Sequence, residues 1–171
     1  MPKGGFSFEG GQDASGLRFG VVVARFNAYV TGPLYEGCRA ELESRGADEH
    51  GISTVEVPGC FELPLVARSL AQTGKFDAVI CLGAIIRGDT PHFDYVSSET
   101  ASGIQRASLD TGVPVIFGVL TTDNEEQALE RIGGSEGHKG REAALAAIEM
   151  AHTMRRIGHE FGGREKFTGG T

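Results

Sequence analysis

What the sequence has little of removes several classes of function. Cysteine occurs three times in 171 residues, as Cys38, Cys60 and Cys81, with no C-x-x-C pair among them. An odd number set among apolar neighbours excludes a disulfide framework and reads as reduced core residues of a cytoplasmic protein. No apolar run approaches the roughly 20 residues that a membrane span requires. The opening "MPKGGFSFEGGQDASG" carries no apolar signal region, so secretion is not expected. Positive charge is scarce: 16 Lys and Arg against 23 Asp and Glu leave a formal net charge of -7, with a pI near 5.2. That surface argues against nucleic acid as a partner. Two phosphate-binding signatures are missing. No G-x-G-x-x-G follows the first strand, and "GSEGHKG" (134–140) lacks the Ser or Thr after its Lys and follows a helix instead of a strand. No internal repeat is visible.

What is present is a chain of one-domain length that is 40% hydrophobic, enough for a real core. Residues 1–16 read as a flexible, Gly-rich arm in which Phe6 and Phe8 alternate with polar residues, at most one short edge strand. "LRFGVVVA" (17–24), "GISTVEVP" (51–58), "FDAVICLGAII" (76–86) and "VPVIFGVLT" (113–121) read as strands, the first and third covered on both faces. Helices are expected over 31–45, from Leu63 through Leu70, over 92–111, in a short segment after Asp123, and over 138–157. Asp123 with Glu126 resembles a capping box, and Gly133-Gly134 would end that short helix. In the last helix Ala143, Ala147, Met150, Met154 and Ile157 share one face by spacing. Residues 158–171 read as a disordered tail, which leaves a single domain over 17–157.

Strands alternating with helices imply a parallel sheet sandwiched between helix layers. In such sheets ligands sit beyond the carboxyl ends of the strands, so the residues that follow each strand are the candidates. Phe26 could stack on a planar ring or be a core aromatic; Arg25 and Asn27 beside it suggest a rim. Glu62 could accept hydrogen bonds from ligand hydroxyls or complement a helix dipole. Gly88, Asp89 and Thr90 precede a helix start, where free N–H groups could hold a phosphate; a simple N-cap formed by Asp89 or Thr90 explains the same residues. His92 could transfer protons near neutral pH or be an exposed first-turn histidine. It has no second His three or four residues on, so a metal site lacks support. Arg131 and Lys139 are the available cations, or solvated charges at helix ends.

Six blocks taken together go further: "RFN" (25–27), "VPGCFELP" (57–64), "GAIIRGDTPHFDYV" (83–96), "PVIFGVLTTDN" (114–124), "ER" (130–131) and "HKGREAALAAIEMA" (138–151). In order and spacing they resemble the lumazine synthase family, over about 17–157. The resemblance implies an α/β three-layer sandwich with a four-stranded parallel, flavodoxin-like sheet flanked by helices. It implies condensation of 5-amino-6-(D-ribitylamino)uracil with 3,4-dihydroxy-2-butanone 4-phosphate to 6,7-dimethyl-8-ribityllumazine. By the same matching, Phe26 stacks on the pyrimidine, with Asn27 beside it among the substrate-binding residues. Cys60, Phe61 and Glu62 hold the ribityl chain, and the backbone of Ala84, Ile85 and Ile86 reads the pyrimidine edge. Gly88, Asp89 and Thr90 form the phosphate turn, and His92 moves protons. Phe117, Arg131 and Lys139 come from a neighbouring subunit, with Arg131 on the phosphate, and Glu142 assists the histidine. The chain departs from the family pattern at Asp89, where small or neutral residues are frequent, at His138, where Asn is frequent, and at Arg141.

Each step of that reaction is proton transfer or dehydration, so the resemblance implies neither a redox cofactor nor a metal. It implies a homo-oligomer, a pentamer that the short "GGSEGH" connection (133–138) would allow to close into a sixty-subunit shell. It admits riboflavin synthase as a further partner. Two other classes compete. A non-catalytic flavin- or lumazine-binding or shell-forming protein on this fold could dispense with His92, Thr90 or Arg131, all of which are present. A flavodoxin-like signalling or electron-transfer module would want a Ser/Thr/Gly-rich loop after the first strand, which is lacking.

Overall fold

The computed structural model describes residues 5–162. Four parallel strands, β1 (Phe19–Ala24), β2 (Ile52–Val57), β3 (Ala78–Ile86) and β4 (Val115–Thr122), form one sheet in the order β2-β1-β3-β4. The helices α1 (Ala28–Ser44), α2 (Leu63–Gln72), α3 (His92–Thr111), α4 (Glu125–Glu130) and α5 (Lys139–Phe161) connect and cover it. Alternation along the central strands assigns the layers. Val21, Val23, Ile80 and Leu82 face α1 and α5, whereas Val22, Ala24, Val79 and Cys81 face α2 and α3. Both faces of β1 and β3 are therefore buried, which is why these strands are continuously apolar. Each buried Val, Leu or Ile contributes roughly 1.5–3 kcal/mol.

The chain steps from β1 outward to β2, then crosses back to β3 and β4. The direction of winding reverses between β1 and β3, and a crevice opens there at their carboxyl ends. Phe26 and Asn27 leave β1 at that point, and the Gly88–His92 turn leaves β3.

Several expected details differ. The short helix α4 is capped by Asn124, whose side chain accepts from the Gln127 amide at 2.9 Å, in place of the Asp123 and Glu126 box. It ends at Glu130, and Gly133-Gly134 lie in a two-strand hairpin, β5 (Ile132–Gly134) with β6 (Gly137–His138), in which Ile132 pairs with His138. A positive φ of 108° at Gly133 permits the bend.

Helix α5 runs to Phe161, so 158–161, expected in the tail, are helical; 163–171 lie outside the described residues. The aromatic at Phe161 explains the extra turn, because its ring meets Phe6 edge-on at 6.1 Å. The expected single face of α5 splits in two. Ala143, Ala144, Ala147, Ile148 and Ala151 turn inward, and Met150, Met154 and Ile157 are exposed. Small inward residues let α5 lie close on α1: a Cβ on Gly140 would come within 2.1 Å of the Leu34 carbonyl oxygen. The arm forms no strand over 5–16. It lies along α5 instead, with His152 Nε2 at 2.6 Å from the Asp13 carbonyl oxygen and Ala14 buried in the core. Among the described residues no helix is long and apolar enough to cross a membrane.

Candidate active site

The crevice holds two adjoining cavities. The smaller, about 260 Å³, is lined by Phe26, Asn27, Cys60, Ala84, Ile85, Ile86, Gly88, Thr90 and His92, with Phe93 and Val96. The larger, about 730 Å³, is lined by Phe26, Cys60, Phe61, Glu62 and His92, with Pro58, Gly59, Tyr95, Val96 and Glu99. Three strand ends, those of β1, β2 and β3, and one helix start converge here.

Asn27 sets the exit from β1. It is the only non-glycine residue with positive φ among the described residues, at φ 61° and ψ 46°. Its Nδ2 donates to the Ala84 carbonyl at 2.9 Å, tying the end of β1 to β3. Asparagine tolerates this left-handed conformation better than most residues. The tight bend leaves the Phe26 ring 71% exposed at the mouth of both cavities, which settles the rim against the core position.

After β2 the chain makes a single 3-10 turn, Cys60–Glu62. Gly59 N–H donates to Glu62 Oε2 at 2.9 Å, which holds the carboxylate against its own turn while it lines the larger cavity. Cys60 is buried beside β3, and a Cβ on Gly83 would lie 2.4 Å from its Sγ. Burial pushes the Cys60 thiol up to about 12, so near neutrality it is a small apolar wall and not a thiolate.

The Gly88–Thr90 turn leads into α3, whose N-cap is Pro91 without a side-chain cap bond. Neither Asp89 nor Thr90 caps the helix, because Pro91 occupies the position that a capping side chain would need. The first N–H groups of α3 consequently have no side-chain acceptor, and such groups favour an anion. His92 is exposed in the first turn and reaches both cavities.

The remaining candidates stand elsewhere. Phe117, Lys139 and Glu142 share a separate cleft of about 310 Å³ between β4 and α5. Lys139 Nζ pairs with Glu142 Oε2 at 2.8 Å, both side chains being partly exposed. Arg131 Nη1 donates to the Gln127 carbonyl at 2.8 Å, and the hairpin brings Arg131 beside Lys139, whose amide donates to the Arg131 carbonyl at 2.8 Å. Arg131, Lys139, Glu142 and Phe117 line neither His92 cavity. His138 caps α5: its Nδ1 faces the Arg141 amide at 3.4 Å. Burial, with Arg141 beside it, holds His138 below the usual histidine range.

Sequence reasoning missed Tyr95, Val96 and Glu99. They follow His92 at i+3, i+4 and i+7, a helical spacing that places them on its face. It also missed Arg87, whose guanidinium bonds both Asp123 and Asp94.

The family model described as 6,7-dimethyl-8-ribityllumazine synthase matches residues 16–155. Two proteins of that name, from two strains of Clostridium kluyveri, are each 52% identical over 150 residues, covering 88% of this chain and 97% of theirs. With the four-stranded sheet, the switch-point crevice and a match over most of its length, the chain belongs to the 6,7-dimethyl-8-ribityllumazine synthase family.

Proposed function

We propose that this chain condenses 5-amino-6-(D-ribitylamino)uracil with 3,4-dihydroxy-2-butanone 4-phosphate to 6,7-dimethyl-8-ribityllumazine, releasing phosphate and water, at a site completed by a second copy of the chain. It is a transferase of riboflavin biosynthesis. The observation that carries the shared site is one of charge. Among the described residues the two His92 cavities are lined by no lysine or arginine. A phosphate ester needs a charge-assisted donor, and Arg131 and Lys139 stand together in another part of the molecule. A neighbour that placed its Arg131, Lys139, Glu142 and Phe117 across the crevice would supply the missing cations.

In this reading Phe26 stacks on the pyrimidine, and the backbone of Ala84, Ile85 and Ile86 reads its edge. Cys60, Phe61 and Glu62 cradle the ribityl chain in the larger cavity, with Asn27 fixing the wall between Phe26 and Ala84. Gly88, Asp89, Thr90 and the open N-terminus of α3 receive the phosphate together with Arg131. The pyrimidine amine attacks the ketone, and the resulting imine forms with loss of water. Phosphate then leaves, and ring closure releases a second water. His92 takes the proton that the attacking amine must lose and returns it to the oxygen that departs. Glu142 of the neighbour assists it. The protein supplies orientation, charge compensation and one proton shuttle.

The three cysteines are free and buried, which supports a cytoplasmic setting. The assembly is a pentamer that closes into a sixty-subunit shell, supported by the short 133–138 connection; riboflavin synthase is its candidate partner. Incubation of the protein with both substrates tests the activity. Lumazine absorbance and fluorescence should appear together with equimolar phosphate. Intact substrates with bound pyrimidine would favour the non-catalytic binding reading.

A further inference from the structure

The Gly88–Thr90 turn is oddly unsupported for a segment asked to hold an anion. Among the described residues Gly88, Asp89 and Thr90 make no hydrogen bond of their own. A Cβ on Gly88 would meet nothing within 4 Å. The support comes from the residue before the turn. Arg87 N–H donates to the Thr122 carbonyl at 2.9 Å, fixing the end of β3 to β4. Its Nε donates to Asp123 Oδ1 at 3.0 Å and its Nη1 to Asp94 Oδ1 at 3.2 Å. The guanidinium carbon lies 4.2 Å from the centroid of the Phe93 ring. One side chain thus joins the end of β3, the end of β4 and the first turn of α3 just after His92.

We infer that Arg87 is a positioning residue for the phosphate turn: it clamps the two ends of the Gly88–His92 segment and offsets part of the charge of the two carboxylates beside it. The inference rests on the functional reading above. Its electrostatic half follows from the count of acids. Asp89, Asp94 and Asp123 lie in or next to the turn, and no lysine or arginine lines the adjoining cavities among the described residues. Without Arg87 an incoming phosphate would face three uncompensated carboxylates. The geometric half follows from the fork. Arginine can bond two carboxylates through separate nitrogens while its plane lies on an aromatic face; lysine offers the charge without the planar fork. Arg87 does not line either cavity itself, so it acts through the turn and not on the substrate.

The test separates charge from shape and phosphate from pyrimidine. Arg87→Met should raise the Michaelis constant for the butanone phosphate about three- to tenfold, the scale of the two exposed ion pairs it loses beside the turn. The Michaelis constant for the ribitylaminouracil should stay within about twofold, because Phe26 and Glu62 are untouched. Arg87→Lys should recover part of the loss. Adding Asp94→Asn and Asp123→Asn to Arg87→Met should recover part of it too, since the repulsion goes with the charges. A merely structural role predicts instead that both Michaelis constants rise together as the melting temperature falls, and that the neutral triple variant is the worst of all; either result overturns the inference. An active wild-type enzyme whose Arg87→Met variant keeps both constants overturns the inference alone. A wild-type protein that forms no product overturns the functional reading and the inference with it.

Discussion

The crevice around His92 and the cleft beside Lys139 both have apolar walls but differ in charge. The crevice is walled by Phe26, Phe61, Tyr95, Ile85 and Val96, its acids are Glu62 and Glu99, and its strand ends are locked by backbone and Asn27 bonds. The cleft is small, sits against the edge strand β4, and carries an ion pair on the first turn of α5. The first suits a flat, uncharged ring with a polyol tail; beside the second stand Lys139 and Arg131, the kind of cation that the first lacks. A substrate pair made of one such ring and one phosphate ester needs both, yet the fold holds them apart. The difference teaches that charge separation inside one chain can indicate a site shared between chains.

Five substitutions sharpen or break this contrast, in falling order of effect except that Asp89→Ala stands beside Arg131→Ala as its counterpart. His92→Ala should lower the turnover number by ~100- to 10,000-fold, the usual contribution of a general acid or base, with little loss of pyrimidine binding. A turnover number that does not change across pH would remove His92 from the mechanism. Arg131→Ala should raise the Michaelis constant for the phosphate substrate by the equivalent of roughly 1.5–3 kcal/mol and leave the pyrimidine side intact, whereas Asp89→Ala should lower that constant or leave it unchanged. Equal effects of Arg131→Ala on both substrates would contradict the division of labour.

Asn27→Ala should cost stability by about 1–3 kcal/mol, because alanine is strained at φ 61° and the Ala84 carbonyl loses its donor. Phe26 fluorescence is too weak to follow, so thermal melting and pyrimidine affinity are the measurements; no change in either would show that the bracket is dispensable. The smallest effect concerns His138. Its folded value lies below the usual 6.5, so the native state binds fewer protons than the unfolded chain between those two values. Stability is fully present above pH 6.5 and declines as pH falls through the lowered value. Protonation also removes the Nδ1 lone pair that caps α5. His138→Asn keeps a capping acceptor and should flatten the melting temperature between about pH 5 and 8; an unchanged pH profile would exclude His138 as its source.

Much of the fold was legible because its signals are local. β1 and β3 announce themselves by unbroken apolar, β-branched runs, and α3 begins at His92 as Pro91 requires. The candidate residues after β1, β2 and β3 could be named from position alone, since a parallel sheet gathers its strand ends. What failed was settled by non-local packing. Met150, Met154 and Ile157 share a helical spacing with Ala143 and Ala147, and only the close approach of α1 at Gly140 decides which of them turns inward. Asp123 looked like a cap, but Arg87 from another strand takes its carboxylate and Asn124 caps in its place. Arg87 stands out by position as the first residue past β3, but its role does not, because its partners lie 7 and 36 residues away.

The central claim, that His92 and Arg131 serve one site from different subunits, is tested by mixing two dead parts. His92→Ala and Arg131→Ala proteins, each nearly inactive when the butanone phosphate is kept well below the raised Michaelis constant, should be dissociated, combined in equal amounts, reassembled and assayed under that condition. In a head-to-tail ring with random mixing, about one quarter of the interfaces then join an intact His92 to an intact Arg131. The account predicts that the mixture regains about a quarter of the wild-type activity on that reasoning, while each variant reassembled alone gains nothing. Activity no greater than the mean of the two variants, in assemblies shown to contain both, would contradict it.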